Sequence, residues 1–235
     1  MTTDPLALSA DVDRATARLL DTAGVLTDEH VGEPSLLPGW TRGHVLTHVA
    51  RNADSLVNLL TWARTGVETP QYATPTEREE GIATGYARPA AEQLDDVRAA
   101  SQRFAEAAAD LPAEAWNAIV GGMGYPAAHV LWRRLREVEV HHVDLASGYT
   151  WRDWPEAFSH RLLHEVITIF TRDDVPAVAV RAKELGHPLT YGTGEPTVTV
   201  SGRGSDLAAW LIGRSPGTGL TVEPTGSLPT VPQWM

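Results

Sequence analysis

The strongest constraint on the fold is the spacing of apolar residues in the first two thirds of the chain. Four stretches repeat apolar residues at the period of an amphipathic helix: "LSADVDRATARLLDTAGVL", "GWTRGHVLTHVARNADSLVNLLTWARTG", "PAAEQLDDVRAASQRFAEAAADL" and "AAHVLWRRLREVEVHHVDLASG". Thr41 is the expected N-cap of the second helix and Gly66 its stop, and the first helix ends near Gly24. Between the second and third lies "TGVETPQYATPTEREEGIATGY", rich in Pro, Thr and Gly, expected to be a long loop with at most a short helical turn. The segment "VGGMGYP" interrupts the helices once more. Four main helices with one long crossover describe a bundle, an architecture that commonly builds metal sites from facing helices.

After about residue 150 the pattern changes. "FSHRLLHEVITIFTRDD" is one further helix, whereas "AVAVRAKE", "PLTYG" and "TVTVSGRG" are short, β-rich and punctuated by Gly and Pro. "SDLAAWLIGR" reads as a helix capped by Ser205 or Asp206, and the turn-rich end carries one strand. The expected fold class is therefore α plus α+β: a helical bundle over 1–150 and a smaller α+β domain over 151–235, with the boundary near Gly148 to Trp154.

Composition narrows the chemistry. A net charge of -11 argues against a nucleic-acid partner, which needs concentrated Lys and Arg. There is no cysteine, so disulfides, thiolate metal sites and a protein thiol nucleophile are all excluded. Any metal must be held by His and carboxylate. The N-terminal stretch lacks the basic and apolar regions of a secretory signal, and no apolar run is long enough to span a bilayer, so a cytoplasmic protein without a membrane partner is expected.

Helix arithmetic then places the ionisable residues. In "LWRRLREVEVHHVDLASG", Leu131, Leu135, Val138, His142 and Leu145 follow a buried stripe. Glu137 and His141, one turn apart, fall along one flank with Val130 and Arg134, from which they can face the bundle axis, while Glu139 is expected in solvent. In "HVLTH", His48 lies nearer its helix's apolar stripe than His44 does, with Asn52 closer still, so His48 is the better inward candidate and His44 is expected to be exposed. Taken alone, Glu137 and His141 suit a solvated pair as well as a metal site, and His48 suits a core-edge histidine. Should the three converge, two imidazoles and a carboxylate suit a divalent first-row ion with positions left open. Asp144, one turn beyond His141, would either orient that ring or accept a hydrogen bond at the surface.

The segments "SLLPGWTRGHVLTHVARNADSLVNLLTWARTGVETPQY", "LWRRLREVEVHHVDL" and "AAWLIGR" together resemble the mycothiol-dependent maleylpyruvate isomerase family, within the wider DinB-like group of metal-dependent, thiol-using proteins. The resemblance runs over essentially the whole chain. It implies a DinB-like bundle whose metal ligands fall on His48, Glu137 and His141, with zinc the first choice of divalent ion. It places a substrate- or cofactor-binding arginine on Arg214, in "WLIGR", and a second on Arg78 in the crossover. It implies a monomer acting with mycothiol on a small anionic electrophile: thiolate addition to the alkene of maleylpyruvate, rotation about the resulting single bond and elimination to fumarylpyruvate, a step in gentisate breakdown. A mycothiol S-transferase, or a non-catalytic metal-binding regulator on the same bundle, are the alternative outcomes. The segment "VGGMGYPAAH" and the crossover are expected to set substrate choice.

Overall fold

The computed structural model describes residues 4–122 and 124–234, and the chain divides into two compact units, Met1–Tyr149 and Thr150–Met235. In the first, helix α1 (Pro5–Ala23) starts at Asp4, whose side chain accepts the Leu6 amide, and ends at Gly24. A short α2 (Asp28–Gly32) leads to the long α3 (Arg42–Thr65). Thr41 and His44 cap the start of α3 reciprocally, and Gly66 ends it at φ 70°, a left-handed conformation that glycine adopts without a Cβ clash. Helices α4 (Glu77–Gly85), α5 (Ala90–Ala109) and α6 (Ala128–Asp144) complete the unit, with a two-stranded hairpin, β1 (Ile119–Val120) and β2 (Tyr125–Pro126), before α6. Helices α1, α3, α5 and α6 form the bundle, and Leu19, Val49, Leu56, Val97, Leu131 and Val138 are fully buried within it.

The crossover and Glu139 depart from the sequence expectations. The crossover contains a nine-residue helix rather than a turn: three glutamates in the first turn of α4 suit the positive end of its dipole, and Ile82 is buried. Glu139, expected in solvent, is 1% exposed. Its carboxylate accepts Arg18 Nη2 of α1 at 2.5 Å and the Tyr149 hydroxyl at 2.6 Å. Beside it His142 Nε2 meets Thr22 Oγ1 at 2.7 Å while its ring stacks on Tyr149 with centroids 3.7 Å apart. A helical wheel cannot anticipate a partner on another helix, and here α1 carries the countercharge.

The second unit contains α7 (Glu156–Phe170) and a four-stranded sheet of β3 (Val178–Ala182), β4 (Leu189–Tyr191), β5 (Thr199–Gly202) and β6 (Thr221–Glu223). The sheet order is β4-β3-β5-β6, with β3 and β5 parallel and both outer pairs antiparallel; Val180 lies opposite Val200. Helix α8 (Gly204–Leu211) follows β5 and packs against α7, close enough that a Cβ on Gly204 would meet the His160 ring at 2.8 Å. The helix begins one residue before Ser205, with Arg203 at its N-cap. Asp206, expected as a cap, instead accepts Trp151 Nε1 at 2.8 Å and so ties down the turn that opens the unit.

The bundle is pinned by an internal arginine. Arg134 is fully buried: Nη1 donates to the Val49 carbonyl at 2.8 Å and to Asn52 Oδ1 at 3.0 Å, and Nη2 to Ser101 Oγ at 3.1 Å. It therefore links α3, α5 and α6, and burial pulls its guanidinium down to about 10. Arg134→Ala removes the stem and leaves these acceptors unpaired, so chemical denaturation should show a loss of about 3 kcal/mol. Arg134→Met keeps most of the packing and should lose less than Arg134→Ala.

Candidate metal centre

The start of α3 is tied to the end of α6. Leu36 N donates to the Asp144 carbonyl at 2.9 Å, and Arg42 donates from Nε to the Leu145 carbonyl at 2.6 Å and from Nη2 to the Ala146 carbonyl at 3.2 Å. These ties make the two helices antiparallel neighbours. The second turn of α3, with His48, thereby faces the last two turns of α6, with Glu137 and His141.

The three side chains converge. His48 Nε2 lies 3.0 Å from Glu137 Oε2, and His141 Nε2 lies 3.4 Å from the same oxygen. The two rings meet edge to face with centroids 4.6 Å apart. One ligand atom from each residue falls within 4.8 Å of the others, so the group could hold a metal ion. His48 is 5% exposed at its side chain, against 21% for Glu137 and 14% for His141, so the site is deep on the α3 side and reachable on the α6 side. Asp144 is fully buried, and its Oδ2 accepts the His141 Nδ1 proton at 2.8 Å, an arrangement that turns Nε2 toward Glu137. His48 has no such support. Its Nδ1 is buried without a hydrogen-bond partner among the described residues, and its ring is held by Glu137 and by the edge of Trp40, 5.7 Å away between centroids.

The electrostatics follow from this packing. Burial alone would raise the Glu137 carboxyl, but hydrogen bonds from His141 and His48 hold it well below the usual range. Burial also works against a charged His141, yet Asp144 and Glu137 push it up to about 9. His48 moves the other way: burial lowers it, more than its hydrogen bond to Glu137 raises it. With Nδ1 donating to Asp144 and Nε2 to Glu137, the His141 imidazolium puts a proton where a cation would be held. A set of two imidazole nitrogens and one ionised carboxylate fits a divalent first-row ion and leaves coordination positions for water or substrate.

The remaining candidates have other places. Arg78 lies on α4 with its guanidinium carbon 5.8 Å from the Trp40 ring centroid, near enough for its charge to bear on His48, and Nη1 also reaches Glu79 at 3.2 Å. His44, expected to be exposed, is half-buried: it stacks on Tyr86 with centroids 3.8 Å apart and takes no part in the metal group. Arg214 belongs to the second unit, where Nη1 donates to the Ile212 carbonyl at 3.0 Å and the guanidinium lies 5.9 Å from the Trp234 ring centroid. Sequence reasoning missed Trp40 and Arg133. Arg133 precedes Glu137 by four residues, so the arithmetic that paired Glu137 with His141 also puts Arg133 on that face.

A family model described as the mycothiol maleylpyruvate isomerase N-terminal domain matches residues 12–146, and one described as the MDMPI C-terminal domain matches residues 153–233. No curated protein matches the chain. Two crystal structures do, one of the mycothiol-dependent maleylpyruvate isomerase and one of a histidine-to-alanine variant of it. Each is 30% identical and is matched over all of both chains, with TM-scores of 0.91 and 0.92 respectively. The chain belongs to the mycothiol maleylpyruvate isomerase family.

Proposed function

We propose that this protein is a metal- and mycothiol-dependent cis-trans isomerase converting maleylpyruvate to fumarylpyruvate. The observation that carries the reading is the convergence of His48, Glu137 and His141 on one point, in a chain that belongs to this family and has no cysteine of its own. When bound, a divalent ion at these residues, for which zinc is our choice, supplies the positive charge that keeps a thiol ionised near neutral pH, and mycothiol supplies the thiol. No helix among the described residues is long and apolar enough to cross a membrane. Dependence on a reduced thiol favours the cytoplasm.

The chain's own residues have five tasks. Glu137 brings the negative charge of the ligand set, and its depressed pKa keeps it ionised across the physiological range. Asp144 holds the His141 Nδ1 proton, leaving Nε2 to face the site. Trp40 covers the His48 ring. Arg78 sets a positive charge near His48, suited to the negative charge that builds on the substrate carbonyl oxygen once the alkene loses its double-bond character. Arg214 we assign to a carboxylate of the same substrate, for which a guanidinium fork is apt.

The direct test supplies metal-loaded protein with mycothiol and maleylpyruvate and follows both product and free thiol. Fumarylpyruvate formed over many turnovers at constant thiol is expected. Thiol consumed in step with product would replace the isomerase by an S-transferase. His48→Ala and Glu137→Ala should each remove bound metal and activity together, and activity persisting in the metal-free double variant would overturn the mechanism. Arg214→Ala should raise KM or lower kcat for the acidic substrate at unchanged metal content. Metal uptake must also displace the proton that His141 holds up to about pH 9. Below that pH the proton competes with the ion. Titration should therefore show the apparent zinc Kd falling roughly tenfold per unit from about pH 6 and levelling near pH 9.

A further inference from the structure

One turn of α6 before Glu137, the Arg133 side chain lines a cavity of about 230 Å³ between α3, the β1-β2 hairpin and the crossover. Leu59, Trp62, Val120 and Val130 form apolar walls, and Arg133 and Gln71 bring the inner polar groups. His129, stacked on Tyr125, and the exposed Glu68 also border it. Arg133 is half-buried, and burial and the neighbouring charge of Arg136 work against its own charge more than the nearby Glu137 favours it. Among the described residues it nevertheless forms no ion pair. Its hydrogen bond goes from Nη2 to Gln71 Oε1, a neutral amide, at 2.6 Å.

Gln71 is itself held in place. Its Nε2 donates to Ser55 Oγ at 3.1 Å, its carbonyl accepts Asn58 Nδ2 at 3.2 Å, and Ser55 Oγ donates to the Asn52 carbonyl at 2.8 Å. A guanidinium kept partly out of water, steadied by a braced amide and given no anion of its own, is built to receive one. A carboxylate at position 71 would have served if neutralisation were the purpose. Glu137, on the same helix face, is already committed to the two imidazoles.

We propose that Arg133, positioned by Gln71, anchors a carboxylate of the small anionic substrate in this cavity, one turn of α6 from the metal ligand Glu137. The proposal rests on the isomerase reading for the identity of the acid. That substrate carries two carboxylates, so an anchor in addition to Arg214 has a group to hold. The hairpin and the crossover, both lining the cavity, would then set how long an acid fits.

The test measures calorimetric binding of maleate, a short cis-dicarboxylate, to zinc-loaded protein, with KM and kcat for maleylpyruvate alongside. Arg133→Met should weaken maleate binding and raise KM by about tenfold or more, with kcat within about twofold and zinc content unchanged. Arg133→Lys should recover part of the loss. Gln71→Glu provides a second route, because it offers Arg133 an internal carboxylate and should weaken maleate binding to a similar degree with the arginine still present. Wild-type maleate affinity and KM in folded Arg133→Met and Gln71→Glu proteins would overturn the anchor. Arg133-dependent maleate binding without isomerisation by the wild-type protein would uphold the anchor and sink the isomerase reading.

Discussion

A carboxylate wedged between two imidazoles is the contact on which the first unit turns. Glu137 is removed from most of the solvent and stays ionised only because His48 and His141 both point nitrogens at one of its oxygens. That demand fixes the relation of α3 to α6. His48 must stand opposite the last turns of α6, which the Arg42 ties to the Leu145 and Ala146 carbonyls enforce from one end. Arg134 enforces it from the other, through Val49 and Asn52. Displacing the helices by a turn would separate the donors and leave a buried charge without partners, far costlier than any lost apolar contact.

Helix α6 also shows how little the local sequence says about the work of a carboxylate. Within "EVEVHH" two glutamates are followed by two histidines, yet the pairs Glu137/His141 and Glu139/His142 end in opposite roles. Glu139 meets Arg18 and Tyr149, and His142 stacks on Tyr149 and meets Thr22, so every partner lies within the protein and the cluster joins α1 to α6. Among the described residues Glu137 and His141 meet only one another, His48 and Asp144 by hydrogen bond or ion pair, and keep an edge open to solvent. The pair that can accept an ion is the one its neighbours leave incomplete.

This is also why the sequence was legible in some places and opaque in others. Periodicity and capping residues are local, so Thr41, Gly24 and Gly66 mark helix ends without reference to the rest of the molecule. The inward flank of α6 was likewise legible, because an i, i+4 spacing is geometry within one helix. Glu139 was misplaced because its countercharge sits 121 residues earlier. Helix α4 was hidden because its inward side is little more than Ile82 and two glycines, and tertiary contact with α3 stabilises what propensity does not. Asp206 has the composition of a cap but is drawn away by Trp151. Arg133 was overlooked for another reason: its significance lies in lacking an acidic partner, which no spacing within a sequence reveals.

The charge distribution reconciles an acidic protein with an acidic substrate. A net charge of -11 repels anions at long range, but at physiological ionic strength that repulsion is screened beyond about 8 Å. Nearer the site positive groups act. Arg133 and Arg134 feel Glu137 directly, and Arg78 bears on His48 from α4, so three guanidinium groups act on the metal group. Because Glu137 is held by the imidazoles, these cations are not neutralised by it one for one. Low-dielectric walls such as Trp40 and Trp62 concentrate the field that remains. An anion that reaches the rim is thus drawn toward Glu137's neighbours rather than toward Glu137, which lets a ligand set containing a carboxylate work beside a dianionic substrate.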